Sequence, residues 1–323
     1  MLERIRLPGS SRETTRLGFG CSGLMGGLSE RESLRLLETA FDAGIRHFDV
    51  APAYGHGHAE RCFGKFLRGL HGNRDEVTVA TKYGILPPPR AHLFGAVGSV
   101  ARPVLRRLPA VRKRAAEAAA ALRSKAQFSV TEARRSLDHS LRELGIDRID
   151  LWLLHEVSAD DLDESDLLPF LLEMQQESRI GTFGCGTGRS NLNALWQRHP
   201  EYCHVLQYEW SVMEQRPDFP GAFRIRHRAV SGAIKMIQDS FRRDPGLCRR
   251  WSDAMESDMS RPETLATLLM NAAMLSNDNC IVLFSSRVPA HIQTNVCALG
   301  GPDWSAHSRL LLDLVRQHVH DSR

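Results

Sequence analysis

No window of this sequence approaches the roughly 20 consecutive apolar residues that a membrane-spanning helix needs. The opening residues, Met1 to Ser11, carry charges and lack the apolar centre of a secretory signal. A soluble cytoplasmic protein with no membrane span is therefore expected. Cysteine is sparse and unpaired in pattern: there are seven, an odd number, and no two stand as Cys-x-x-Cys. That spacing argues against a disulfide framework and against a zinc site. His56 and His58 have no third ligand at a useful spacing, so no metal is expected. Also missing is the GxGxxG fingerprint of an open dinucleotide-binding sheet. After the first apolar run the chain reads Gly20-Cys-Ser-Gly-Leu-Met-Gly26-Gly27.

What is present is a chain of 323 residues, 42% of them hydrophobic, with a net charge of +4. That is enough for one large barrel or two ordinary domains. The charge is uneven. Between Tyr83 and Phe128 stand nine basic residues, Arg90 through Lys125, against one acid, Glu117, so the remainder is mildly acidic. A run of this kind is usually a solvated helix face and less often a docking surface for anions, so no nucleic-acid partner is expected.

Short runs rich in Val, Ile and Phe alternate with stretches of helical periodicity, as parallel strands joined by crossover helices require. Eight such runs are found: Leu17 to Cys21, Ile45 to Val50, Val77 to Thr81, Ile149 to Leu154, Thr182 to Gly186, His204 to Tyr208, His227 to Ser231 and Cys280 to Ser285. Ser29 with Glu32, and Ser129 with Glu132, read as capping boxes opening helices that end at Gly44 and Gly145. Further helices are expected over Asp166 to Ser178, Asn191 to Gln197, Pro262 to Leu275, Pro289 to Ala298 and Trp304 to His318. The expected fold is α/β: a single (β/α)8 barrel over residues 1–323, with a basic helical insertion, 84–127, after the third strand. The apolar set Leu93, Phe94, Val97, Val100, Val104 and Leu105 suggests that the insertion packs near the barrel mouth.

In such barrels chemistry sits at the C-terminal ends of strands. The second run ends at Asp49-Val-Ala-Pro-Ala-Tyr54, the third at Thr81-Lys82, the fourth at Leu154-His155. Singly, an acid there is often a cap, the lysine a surface charge and the histidine a core residue. Together they make a proton-transfer set. An ammonium beside a phenol lowers the phenol's pKa, a nearby carboxylate keeps a buried ammonium charged, and an imidazole can orient a carbonyl oxygen.

The strings HFDVAPAYGHGHAERCFGKFL, VTVATKYG, SLRELGIDRIDLWLLHEV and VLFSSRVPAHIQTNV closely resemble the aldo-keto reductase superfamily. The resemblance implies a catalytic tetrad of Asp49, Tyr54, Lys82 and His155 and hydride transfer with a nicotinamide. It further implies cofactor contacts at Gln207, which would hold the carboxamide, at Ser285, Ser286 and Arg287 for the phosphates, and at His291 and Asn295 near the adenine end. Many NADPH-using members carry Arg where His291 stands. Arg287 is the cation that could compensate, so NADP is the expected cofactor with NAD the alternative. Two positions depart from the family pattern. Gly184-Cys-Gly-Thr187-Gly replaces a Ser-Asn pair, with Thr187 as a partial substitute, and no aromatic follows the seventh run. The resemblance thus implies an NAD(P)(H)-dependent oxidoreductase interconverting an aldehyde, ketone or sugar hemiacetal and its alcohol or lactone, with a small-molecule carbonyl or sugar as partner. The alternatives are a cofactor-binding regulatory or accessory barrel and, further off, a lyase reusing the same set.

Overall fold

A computed structural model describes residues 2–85, 128–214, 217, 219–276, 279–297, 299 and 302–321. The chain opens with an antiparallel hairpin, β1 (Arg4–Arg6) and β2 (Glu13–Thr15). Its Leu7 is buried with Ala80, Leu151, Val205, Ile225 and Ile281, side chains of the barrel interior, so the hairpin plugs one end. Arg12 fastens it there, pairing with Asp150 at 2.8 Å while the Val79 N–H donates to the same carboxylate.

Eight parallel strands then close a barrel: β3 (Leu17–Gly20), β4 (His47–Asp49), β5 (Thr78–Tyr83), β6 (Ile149–His155), β7 (Ile180–Gly186), β8 (Val205–Glu209), β9 (Phe223–His227) and β10 (Cys280–Phe284), which pairs back onto β3. Strands covered on both faces read as continuous apolar runs, which is why most of them stand out in the sequence. Helices α1 (Glu30–Asp42), α2 (Ala59–Gly69), α3 (Val130–Leu144), α4 (Leu167–Gln176) and α5 (Arg189–Arg198) lie between successive strands up to β8. They bury Leu37, Phe63, Leu137, Phe170 and Leu195 against the outward side chains Phe48, Trp152 and Phe183.

The Ser29–Glu32 capping box is complete, with the Ser29 side chain and backbone each satisfied. At α3 only half forms: Ser129 accepts from the Glu132 N–H, but the Glu132 carboxylate turns to Arg135 instead. Gly145, at φ 66°, closes α3 in the left-handed conformation that favours glycine.

The seventh strand is displaced from its expected place. It runs over Phe223–His227, and Ser231, expected to end it, begins α6 (Ser231–Arg243). The physical reason is Arg226, fully buried with its guanidinium 3.9 Å from the centre of the Trp210 ring, which breaks the apolar run expected of a buried strand. Helices α2 and α6, and α7 (Pro245–Met255), had no counterpart among the expected helices. Between β9 and β10 the chain makes three helices rather than one, α6, α7 and α8 (Pro262–Leu275). After α9 (Pro289–Cys297), the last helix α10 (Pro302–Asp321) returns to them. Together they enclose a second apolar core containing Ile237, Phe241, Trp251, Leu268 and Leu311.

The expected insertion lies outside the described residues except for Gly84 and Ile85. Among the described residues no helix is long and apolar enough to cross a membrane, and no cluster of metal-ligating side chains occurs.

Candidate active site

At the C-terminal end of the barrel is a cavity of about 650 Å³ lined by Asp49, Tyr54, Lys82, His155, Thr187 and Gln207. Asp49 and His155 end their strands, Lys82 stands one residue before the end of β5, and Gln207 lies in the middle of β8. Tyr54 arrives by a tight turn after β4. Gly55, at φ 57°, makes that turn possible, because a Cβ there would lie 2.6 Å from the Leu24 carbonyl oxygen. The four residues expected from sequence to form a set are therefore neighbours in one cavity.

The Lys82 ammonium donates to Asp49 Oδ1 at 2.6 Å and to the Val50 carbonyl at 3.2 Å. It lies 5.0 Å from the centre of the Tyr54 ring. Burial works against the ammonium, but Asp49 and Tyr54 outweigh it and hold Lys82 above the ordinary lysine range. At Tyr54 the balance goes the other way. Burial raises the phenol and the Lys82 charge offsets only part of that rise, so the net shift is upward and not the lowering expected from the neighbouring ammonium alone. The resting pair is thus a protonated phenol beside a protonated amine. The His155 ring meets the Tyr54 ring edge to face, with centroids 6.1 Å apart.

Gln207 ties the ion pair to the rest of the cavity. Its Nε2 donates to Asp49 Oδ2 at 2.8 Å, which fixes the amide orientation because a carboxylate can only accept. Its Oε1 is buried and has no partner among the described residues. That oxygen lies at Gly186, where an added Cβ would come within 3.2 Å of it. A buried acceptor left open in a cavity calls for a ligand donor, and a primary carboxamide would supply one. Thr187 accepts from Asn191 at 3.0 Å and is nearly covered.

Of the residues at the far end, Ser285 and Asn295 line the cavity, and Ser285 donates to the Gly20 carbonyl at 2.8 Å. Ser286 accepts from the Val288 N–H at the start of α9. Arg287 is exposed and lies along the loop after β3, its Nε 3.6 Å from the point a Gly23 Cβ would occupy. His291 is exposed on α9. Neither Arg287 nor His291 lines the cavity itself.

Sequence reasoning missed Glu156, His227, Arg228 and Met270, which also line it. His227 carried a signal, a histidine in the strand-ending string Ile-Arg-His, hidden by the displaced reading of β9. Burial lowers its imidazole, opposed in part by Asp49. Glu156 and Arg228 owe their places to backbone turns at φ 57° and 60°, which no residue pattern announces.

The Aldo/keto reductase family model matches residues 16–240 of the chain. Among curated proteins, the D-threo-aldose 1-dehydrogenase of a Pseudomonas species is 34% identical over 176 residues, 53% of this chain and 49% of that protein. The L-galactose dehydrogenase of Arabidopsis thaliana is 26% identical over 188 residues, 57% of this chain and 48% of the other. The chain thus matches about half the length of these curated relatives. In fold it is similar over nearly its whole length to the holo form of an aldo-keto reductase of Bacillus halodurans, with TM-score 0.66, 19% identity and 96% of each chain covered. A glycerol dehydrogenase of Gluconobacter oxydans gives TM-score 0.65 at 16% identity, with 98% and 96% covered. With the family match spanning most of the chain and the barrel closing as that family's structures do, this protein belongs to the aldo/keto reductase family.

Proposed function

We propose that the chain is an NAD(P)(H)-dependent oxidoreductase that interconverts a carbonyl compound and its alcohol, or a sugar hemiacetal and its lactone. The observation that carries the reading is the buried Lys82–Asp49 ion pair placed beside Tyr54 inside a cavity large enough for a small ligand. Burying two charges costs free energy that packing alone would not demand. A site that must hold a proton donor in a fixed electrostatic field does demand it.

Gln207 would hold the nicotinamide carboxamide through its open Oε1, with Thr187 beside it. Ser285, Ser286 and Arg287 at the start of α9 would meet the phosphates, and His291 and Asn295 the adenine end. The nicotinamide, when bound, supplies or receives the hydride. In reduction, His155 and Tyr54 converge on the carbonyl oxygen. His155 orients it by a hydrogen bond, and Tyr54 gives its proton to the oxygen as negative charge develops there. Lys82 then stabilises the phenolate, and Asp49 keeps Lys82 charged throughout. In oxidation the reverse holds: Tyr54 acts as the phenolate, stabilised by Lys82, and takes the proton of the alcohol to become the phenol. The upward shift of Tyr54 means that the resting site holds the proton needed for reduction.

NADP is the proposed cofactor, because Arg287 is a cation at the phosphate loop. Sugar hemiacetals are favoured among substrates by the two sugar dehydrogenases to which the chain is similar. The test is a fluorescence titration with NADPH and NADH, followed by a turnover screen of small aldehydes, ketones and aldoses. Saturable binding with turnover supports the proposal. Binding without turnover of any carbonyl or alcohol points to an accessory barrel, and no binding refutes it.

A further inference from the structure

The proton chemistry of the cavity leaves one buried acid beside it unused: Glu60, in the first turn of α2 and 2% exposed. Its Oε1 accepts from the Thr81 hydroxyl at 2.7 Å. Thr81 alternates along β5 with Ala80 and Lys82, which face the barrel interior and the cavity, so its own side chain faces the helices. Burial pushes the Glu60 carboxyl up to about 7. Thr81, Ser140 on α3 and, more weakly, Lys82 oppose that rise, and Glu143 on α3 adds to it. An acid in a first turn favours its helix equally well from the surface, so helix stability alone does not call for burying this one.

The Glu60–Thr81 bond joins two segments that each carry a reactive group. Tyr54 stands in the turn Tyr54–Gly57, which runs into α2 at Ala59, so the first turn of α2 holds the backbone of the phenol. Thr81 directly precedes Lys82 on β5. Elsewhere on α2, Arg61 and Lys65 pair with Glu143 on α3 and Glu30 on α1, the neighbouring helices, whereas Glu60 reaches the strand itself. Phe63 and Phe66 also pack on Phe48 of β4, with ring centres 5.4 and 5.6 Å apart. Apolar contacts of that kind tolerate small slips, and a buried hydrogen bond is what fixes register.

We propose that Glu60 is a positioning residue, whose hydrogen bond to Thr81 sets the Tyr54 turn against Lys82 at the separation over which the ammonium acts on the phenol. The inference rests on the redox reading of the same site. The ammonium lies 5.0 Å from the centre of the Tyr54 ring. After burial it is the strongest influence on the phenol, followed by Asp49, with Cys21 weaker still. Released from Thr81, the first turn of α2 draws back from β5. Tyr54 then loses part of the Lys82 charge and becomes a weaker acid, and it meets the carbonyl oxygen less squarely.

The test follows the reduction of benzaldehyde by NADPH in the native protein and in Glu60→Leu, Glu60→Gln and Thr81→Val. Leu removes the acceptor, Gln keeps an acceptor without the charge, and Val removes the donor while keeping the shape. Glu60→Leu and Thr81→Val should each lower kcat about tenfold and leave the KM for benzaldehyde and the affinity for NADPH within about twofold of native. The double variant should fall no further than either single one, because both break the same bond. Glu60→Gln should stay within about threefold of native. The Tyr54 ring resonances, assigned by their loss in Tyr54→Phe, should titrate about one pH unit higher in the Leu and Val variants and as native in the Gln variant. A role confined to stability moves neither the kcat of the folded protein nor that titration. Thr81→Val carries the test if Glu60→Leu does not fold. Native kcat and a native Tyr54 titration in Thr81→Val overturn the proposal, as does a Gln variant as impaired as the Leu one, because the charge and not the bond would then be acting. The expected titration shifts in a protein that turns over no carbonyl count against the redox reading alone.

Discussion

Two walls face the same cavity with different chemistry. From β4 to β8 the wall is polar and nearly dry: Asp49, Lys82 and Gln207 are each about 3% exposed and joined in one chain of hydrogen bonds. From the helical annex, α6 and α8 contribute Ile234, Ala266 and Met270, an apolar surface interrupted only by Ser231 at the start of α6. The polar wall is held by directional bonds whose partners cannot be exchanged. The apolar wall is held by volume, which tolerates change of shape. On this account the first wall supplies chemistry and the second a boundary, and damage to each should look different.

The severest test of the contrast is Lys82→Met. It leaves the Asp49 carboxylate buried without its cation, and stability should fall by about 3–5 kcal/mol in denaturant titrations. Turnover should fall below detection even where the variant remains folded. Unchanged stability would mean that the ion pair is not the keystone of the polar wall.

In the annex, Leu268→Ala removes a side chain that is 1% exposed in the second core. The expected loss is about 2–5 kcal/mol, measured in the same way. The pH profile of turnover should keep its shape, since no polar contact of the first wall is touched. A shifted profile would show that the walls are coupled.

The polar wall also carries titratable groups on both of its faces, and they predict opposite limbs of a stability curve. Glu60 on α2, 2% exposed and accepting from Thr81 at 2.7 Å, is pushed up by burial to about 7. A folded pKa above the unfolded one means that its contribution is present at low pH, below about 4.5, and is lost as pH rises through about 7. His47, buried in the barrel interior with Nδ1 3.0 Å from Thr78 Oγ1, is lowered by burial to about 4. Its contribution is present above about 6.5 and is lost as pH falls toward 4. In Glu60→Gln the loss of stability between pH 5 and 8 should shrink by about 3 kcal/mol, read from unfolding curves at each pH. A variant that follows the native curve would show that Glu60 is ionised throughout.

The smallest expected effect lies at the outer end of the cavity. Arg287→Ala should weaken NADPH about tenfold, or about 1.4 kcal/mol, and leave NADH nearly unchanged in fluorescence titrations. Parallel losses would show that Arg287 does not read the 2′-phosphate.

Legibility in the sequence follows the same division. The polar wall could be read because a parallel strand ends at a definite residue, and Asp49 and His155 stand at such an end, with Lys82 one residue before another. The annex could be read only in part, at α8 and α10, whose ranges the helical periodicity gave. The arginines flanking Ile225 concealed β9, and α6 and α7 were added ahead of α8, the single crossover that the barrel pattern suggests. Burial was likewise invisible at Tyr54: the neighbouring ammonium is plain in sequence, whereas the desolvation that outweighs it exists only in the folded cavity. Glu156 and Arg228 could not be found from pattern, because their positions depend on left-handed backbone at residues that are not glycine.

The most direct test of the central claim is a single-turnover measurement of NADPH oxidation by an aldehyde in the native protein and in Tyr54→Phe. The variant keeps the ring and loses the proton. The account predicts a rate lower by roughly 10²-fold to 10⁴-fold with NADPH affinity little changed. Equal rates in the two proteins would contradict it, because the proton would then come from a group other than Tyr54.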